Sequence, residues 1–272
     1  MVEAPPPYAI RLQKLLVPMG KGYRSKRVLQ IAFDLARSYD SEVTAFTVKE
    51  TTQEITWSDK VSLVTGAFKD GKDEQIKVVP RIRMADSVKE GIVAESMAHN
   101  YDLLFIATWK RSSLSASLFG GIGDYVIKNS GTTTAALSVK NDHYPYRRIL
   151  VPVSEDINTR TAISFSLYLK KALNASLYLV DMRKYDKTRT HGFRMLFENM
   201  DRIVGSYGPE INFTRSGMTT SFKDEILFHS RQIKPDLIVL GIRSGEGGKI
   251  RINAAIKSVI KDTDQDVFLI KK

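Results

Sequence analysis

Short, nearly continuous apolar runs alternate along this chain with longer stretches in which apolar residues return every three or four positions. Leu15-Leu16-Val17 has the length and density of a strand buried on both faces. The stretch after it places Val28, Ile31, Ala32 and Leu35 on one side of a helix. Read onward in this way, the first half predicts strands at Lys14–Met19, Val43–Val48, Ile76–Ile82, Asp102–Ala107 and Thr134–Val139. Helices are expected at Arg24–Ser38, about Ile55–Lys69, Asp86–Asn100 and Ile122–Asn129.

The pattern then starts again. Leu15-Leu16-Val17-Pro18 recurs as Ile149-Leu150-Val151-Pro152, an offset of 134, and Asp102-Leu103-Leu104-Phe105-Ile106 recurs as Asp236-Leu237-Ile238-Val239-Leu240 in the same register. Ser87-Val88-Lys89-Glu90 matches Ser221-Phe222-Lys223-Asp224 between them. The register slips by one at Val126 and Val259, then by one more at Leu137 and Leu269, which places two single-residue deletions late in the second copy. A period this long is domain duplication, not a solenoid. The second copy predicts strands at Arg147–Val153, Ser176–Asp181, Glu210–Thr214, Asp236–Ile242 and Asp266–Ile270. Its helices are expected at Thr159–Leu173, His191–Ser206, Ser221–Gln232 and Ile252–Lys261. The domains expected are 12–140 and 141–272, after a Pro-rich linker over residues 1–11.

Strict alternation of strand and helix implies two tandem α/β units. Each is a doubly wound five-stranded parallel sheet with helices on both faces. With strand order 3-2-1-4-5, a ligand crevice opens beyond the carboxyl ends of strands one and four, where the winding reverses. The loops to search are 20–23 with 108–123, and 154–158 with 242–253.

Composition narrows the chemistry. The chain has no cysteine, so it has no disulfide framework, thiol nucleophile or thiolate metal site. Its apolar runs are far shorter than the ~18–20 residues that span a bilayer, and no signal-peptide order begins it, so a cytoplasmic location is expected. The formal net charge of +11 favours anionic partners. The Lys and Arg residues are scattered, with no recognition motif beside them, and nucleic acid is not the expected partner.

The apolar strand ending in Val-Pro, the later Asp-Leu-Ile-Val-Leu-Gly strand, the Gly/Ser-rich loop and the short final helix resemble the universal stress protein family. The likeness runs twice over, from about residue 12 to 272. It implies an adenine nucleotide alpha-hydrolase-like fold, and pairing of domains edge to edge through their last strands, within the chain or in a homodimer. ATP or another adenine nucleotide is the cofactor it implies. In ATP-binding members the loop after strand four reads Gly-x2-Gly-x9-Gly-(Ser/Thr), glycines letting the backbone approach the phosphates before a helix N-terminus. An aspartate after the first strand meets the adenosine. Carried over, these positions fall on Ala107, Lys110, Gly120 and Gly121 in the first copy, and on Gly241, Ser244, Asn253 and Ala254 in the second. The aspartate position holds Gly20 and Ser154. Both copies depart from the nucleotide pattern. The loops still carry anion-binding chemistry of their own, Lys110, Arg111 and Ser112 in one and Arg243 and Ser244 in the other.

No catalytic machinery emerges. A P-loop, a Gly-x-Ser-x-Gly elbow and a Gly-x-Gly-x-x-Gly turn are all absent. His99, His143, His191 and His229 are too dispersed to form a metal site, and Trp57 and Trp109 read as packing residues. The expectation is a non-catalytic regulatory or binding module with no metal. Two alternatives stand beside it: an adenine-nucleotide or anion-binding stress protein, and the cytosolic regulatory domain of a membrane transporter, since the family's domains are found appended to such proteins. The opening Glu-Ala-Pro-Pro-Pro reads as a stiff linker, and a basic surface suits the cytoplasmic face of a membrane.

Overall fold

The computed structural model describes residues 10–52, 57–107, 120–154, 157–182, 211–216, 221–243, 250 and 252–272. The first half contains β1 (Lys14–Pro18), α1 (Tyr23–Tyr39), β2 (Glu42–Glu50), α2 (Trp57–Asp73), β3 (Val78–Ala85), α3 (Val88–Ala98), β4 (Leu103–Ala107), α4 (Gly120–Asn129) and β5 (Thr134–Ser138). The second contains β6 (Arg148–Val153), α5 (Thr159–Leu173), β7 (Ser176–Asp181), β8 (Ile211–Arg215), α6 (Phe222–Ile233), β9 (Leu237–Gly241), α7 (Ala254–Asp262) and β10 (Asp266–Lys271). The helix expected at His191–Ser206 lies outside the described residues.

Each half has the strand order expected of it, but the two sheets are one. The order β3-β2-β1-β4-β5-β10-β9-β6-β7-β8 runs through all ten strands. Neighbours within each half are parallel, and β5 meets β10 antiparallel from Ser138 opposite Val267 to Thr134 opposite Lys271. Both last strands are therefore interior strands, each paired on two sides, and neither is left to join a second chain. The outer edges are β3 and β8. Pro80, Arg81 and Arg83 on β3 discourage strand addition there.

The alternation of side chains sorts the core into two layers. Leu15, Val17, Phe105, Leu137, Ile149 and Phe268 face α1 and α5. Leu16, Leu104, Ile106, Leu150, Leu240 and Leu269 face α3, α4, α6 and α7. Because both faces are covered, β1, β4, β6 and β9 read as unbroken apolar runs. The halves repeat small devices as well. Asp102 accepts the N–H groups of Gln13 and Lys14 at 2.8 and 2.9 Å, and Asp236 accepts those of Arg147 and Arg148 at 2.7 and 2.9 Å. Ser87 and Ser221 cap α3 and α6 by accepting from Glu90 and Asp224. Ile10 and Leu12 are 4% and 6% exposed, so the core takes in a residue that composition assigns to the linker.

The junction between halves is polar and buried. Asp266 is fully buried at the start of β10. Its Oδ1 accepts from the backbone of Lys140 and Asn141 at 2.6 and 3.2 Å, and its Oδ2 from Tyr146 Oη and Arg27 Nη1 at 2.6 and 3.3 Å. Arg27 also donates to the His143 carbonyl and sits over the rings of Tyr144 and Tyr146. Burial pushes the Asp266 carboxyl up, against the opposing pull of these donors. On the same face α1 packs against α5, with Tyr39 edge-on to Tyr168 at 5.3 Å.

Candidate functional site

The sheet reverses its winding between β1 and β4, and their connections leave in opposite directions. Beyond their carboxyl ends lies a cavity of about 340 Å³. That is toward the small end of the roughly 300–1,000 Å³ typical of small-molecule sites. Phe46 and Val48 of β2, Ile92 of α3 and Ile106 of β4 give it apolar walls, and Ile122 stands half exposed at its rim. Lys21, Arg24 and Lys60 supply the only charges among the described lining residues.

The loop from β1 into α1 is held by short-range bonds. Met19 N–H donates to the Phe46 carbonyl at 2.6 Å, Gly20 N–H to Ser25 Oγ at 2.9 Å, and Thr47 Oγ1 to the Met19 carbonyl at 3.3 Å. Gly22 then turns the chain at φ 111°, a conformation open to glycine and strained for other residues. No side chain caps α1, and its first turn carries no acid, so its positive end is not neutralised from within the helix.

The equivalent place in the second half is built differently among the described residues. Thr159 Oγ1 accepts from Ser154 N–H at 3.2 Å, as Ser25 does for Gly20. From there the halves diverge. Asn158, where the first half has Arg24, caps α5 by accepting from Thr161 N–H at 3.3 Å. Its own N–H donates to the Gly241 carbonyl at 2.9 Å. A Cβ on Gly241 would lie 2.0 Å from the Asn158 carbonyl oxygen, so this close approach needs glycine. Ile157, Met182 and Ile242 are each 1% exposed, and Ile250 is 8% exposed. Arg243 Nε donates to the Ile157 carbonyl at 3.1 Å and ties the loop down.

The candidate residues therefore separate. Gly20 lines the first cavity through its backbone. Gly120 and Gly121 open α4, whose next residues Ile122 and Gly123 reach the cavity, and a Cβ on Gly121 would meet nothing within 4 Å. Ser154 is buried at 6%. Gly241 faces the Asn158 backbone, and Asn253 spends its side chain capping α7, accepting from Ile256 N–H at 2.8 Å. Lys110, Ser112 and Ser244 lie outside the described residues, as do Trp109 and His191. Sequence reasoning passed over Lys21, Arg24, Lys60 and the apolar walls. The signal available was the loop after β1, whose Lys21 and Arg24 lie at the switch point.

Other ionisable clusters lie elsewhere. Glu95, 2% exposed at its side chain, meets Arg81 Nη1 at 3.0 Å, Arg83 Nη2 at 2.8 Å and Tyr101 Oη at 3.0 Å, away from the cavity. Burial opposes its charge, but Arg83, Tyr101 and Arg81 together hold the carboxyl below its usual range. His229 is buried beside Glu225 at 3.7 Å, and desolvation lowers its pKa. Trp57, expected in the packing, is 49% exposed with Lys49 Nζ 5.7 Å from its ring centroid. Among the described residues no group of three His, Cys, Asp or Glu could hold a metal ion, and no helix is long and apolar enough to cross a membrane.

Known proteins place this architecture. The model of the universal stress protein family matches residues 11–136. None of the curated proteins matches the chain. Among solved structures, a protein of Pseudomonas aeruginosa UCBPP-PA14 assigned to the universal stress proteins superimposes with a TM-score of 0.67 at 15% identity, covering 97% of this chain and 94% of its own. A universal stress protein from Archaeoglobus fulgidus DSM 4304 gives 0.60 at 17% identity, covering 95% and 98%. The cytoplasmic domain of a prokaryotic cation chloride cotransporter gives 0.63 at 11% identity, covering 96% and 95%. At these identities the likeness is one of fold, across the full tandem. Residues 11–136 match the universal stress protein family and are followed in the same chain by a second half with the same strand order.

Proposed function

We propose that the chain is a non-catalytic binding module of two domains, 12–140 and 141–272, in which the first binds a small ligand and the second is a structural and regulatory partner. One observation carries this reading. The crevice at β1 and β4 is an open cavity of about 340 Å³, while at β6 and β9 the described residues Ile157, Met182, Ile242 and Ile250 are buried. No Asp or Glu stands among the described lining residues to act as a carboxylate base, and Ser25 Oγ and Thr47 Oγ1 are held in hydrogen bonds, which supports binding without turnover. Titration calorimetry on the whole chain, with AMP, ADP, ATP and small organic anions, tests it. One site per chain and no loss of ligand is expected; two equivalent sites or hydrolysis of ATP would overturn it.

A second reading is favoured by the likeness, over 96% of this chain, to a cotransporter's cytoplasmic domain. Here the module is a cytosolic regulatory domain of a membrane transporter, and the ligand in the first cavity sets its conformation. The native reading frame upstream of Met1 decides it. Membrane-spanning segments there support the reading, and their absence ends it.

A further inference from the structure

We infer that the cavity between β1 and β4 takes an amphiphilic anion, an apolar body carrying a single carboxylate or sulfonate, in preference to a nucleotide. This rests on the cavity being the working pocket proposed above. Three features of its lining carry the inference.

The walls are apolar where a nucleoside needs partners. Phe46, Val48, Ile92 and Ile106 are nearly or wholly buried and present only carbon. Of the three hydroxyls in the lining, two have their protons committed, Ser25 Oγ toward Met19 Sδ at 3.9 Å and Thr47 Oγ1 toward the Met19 carbonyl at 3.3 Å, and the third, Tyr23 Oη at the mouth, accepts from Arg24 Nε at 3.3 Å. No Asp, Glu, Asn or Gln stands among the described lining residues to accept from ribose hydroxyls or an exocyclic amine. Burying those groups without partners costs roughly 1–3 kcal/mol each, whereas a hydrocarbon body gains from the same walls.

The mouth is cationic and only partly neutralised among the described residues. Lys21 faces Asp59 at 3.5 Å. Arg24 and Lys60, both partly buried, make no ion pair among the described residues; Arg24 Nε donates to Tyr23 Oη at 3.3 Å. Two partly buried cations beside an apolar cavity recognise a ligand with charge at one end and hydrocarbon at the other. The uncapped start of α1, which carries no acid in its first turn, adds to the same field. The size agrees: about 340 Å³ admits a short acyl chain or one ring system with a charged group. Among the described residues the second half differs: Asn158 stands in place of Arg24 and caps its own helix.

The test compares octanoate, octanol and AMP by calorimetry on the whole chain. Octanoate is expected to bind at one per chain, at least tenfold tighter than octanol and tighter than AMP. Two variants locate the site. Ile122→Asp, at a half-exposed rim position, should weaken octanol, and octanoate at least as much. Arg24→Glu with Lys60→Glu should weaken octanoate at least tenfold and leave octanol within about twofold. Folding of each variant is checked by circular dichroism and its melting curve. Should AMP bind tightest, the inferred ligand class is wrong while the single working pocket stands. Equal affinity for octanoate and octanol, or octanoate binding indifferent to both variants, overturns the inference. If none of the three binds, the inference also fails. A fragment screen by ligand-observed NMR then decides the underlying reading, which survives if a bound fragment is lost in Ile122→Asp and falls if no fragment binds.

Discussion

The amide of Asn158 donates to the carbonyl of Gly241 at 2.9 Å, and the space a side chain would need at Gly241 is already held by the Asn158 carbonyl oxygen. This contact draws the start of α5 against the end of β9. The first half has Ala107 and Arg24 at the corresponding positions, and there the crevice is open. Gly241→Ala must therefore push the start of α5 off β9. A loss of about 1–3 kcal/mol is expected, in the range of overpacked core substitutions, read as a lowered urea midpoint. Ala107→Gly, the reverse change in the first half, should cost less than about 1 kcal/mol. Equal effects from the two would mean that the close approach of Asn158 does not require glycine at 241.

That contact also explains where the sequence is transparent and where it is not. Strands such as Leu15–Val17 and Leu237–Leu240 are legible because burial on both faces forces an unbroken apolar run, and the offset of 134 makes the duplication plain. Gly241 sits at a place in the repeat where a phosphate-binding loop also wants glycine. The two demands, close approach of a ligand and close approach of the Asn158 backbone, leave the same residue behind. Asn253 is ambiguous in the same way, since a helix cap and a ligand contact both use a short polar side chain. Arg24 and Lys60 become visible as a pair only when the fold brings α2 beside the loop after β1.

The junction between halves is expected to hold them in one cooperative unit. Asp266 gathers Tyr146, Arg27 and two linker amides, and the first half has Thr134 at its equivalent position, so the arrangement is not repeated. Asp266→Ala strips a partner from the buried guanidinium of Arg27, and removing one member of a buried pair costs about 3–5 kcal/mol. Arg27→Met should cost less, about 1–3 kcal/mol, because Asp266 keeps Tyr146 and its backbone donors. With Asp266→Ala, urea curves followed by far-ultraviolet dichroism and by tryptophan fluorescence should cease to coincide, since both tryptophans are in the first half. A single coincident transition displaced by under 1 kcal/mol would show that β5 and β10 hold together without the network.

Glu95 gives the stability of the first half a dependence on pH. Its folded carboxyl is held below the ordinary range, so its contribution is present above the unfolded value of 4.5 and is lost as pH falls through the folded one. Glu95→Gln should destabilise the chain by about 1.5–3 kcal/mol at pH 7, the range for hydrogen bonds to charged groups. Wild type and variant should converge in acid, below pH 4.5. Melting temperatures measured from pH 3 to 7 would show the gap closing; a constant gap would assign the loss to packing alone.

Lys271 has the opposite sign. It lies 9% exposed near the end of β10, its ammonium donates to the Ser130 carbonyl, and burial lowers its pKa below 10.5. A lysine whose folded pKa is depressed costs stability while it is charged, and the cost is relieved as pH rises through that folded value toward the unfolded one. Lys271→Met removes the buried charge, keeps most of the apolar stem and leaves the Ser130 carbonyl without its donor. At pH 7 these effects oppose each other, and a change within about 1 kcal/mol is expected, since a buried charge replaced by an apolar group is often neutral. As pH rises toward 10 the wild type should gain on the variant, because its lysine sheds the charge while the variant cannot improve. Urea midpoints for both proteins at pH 7, 8.5 and 10 measure the difference directly. A wild type that instead loses ground to Lys271→Met over that range would mean the ammonium is stabilised in the fold, and that the Ser130 carbonyl outweighs burial.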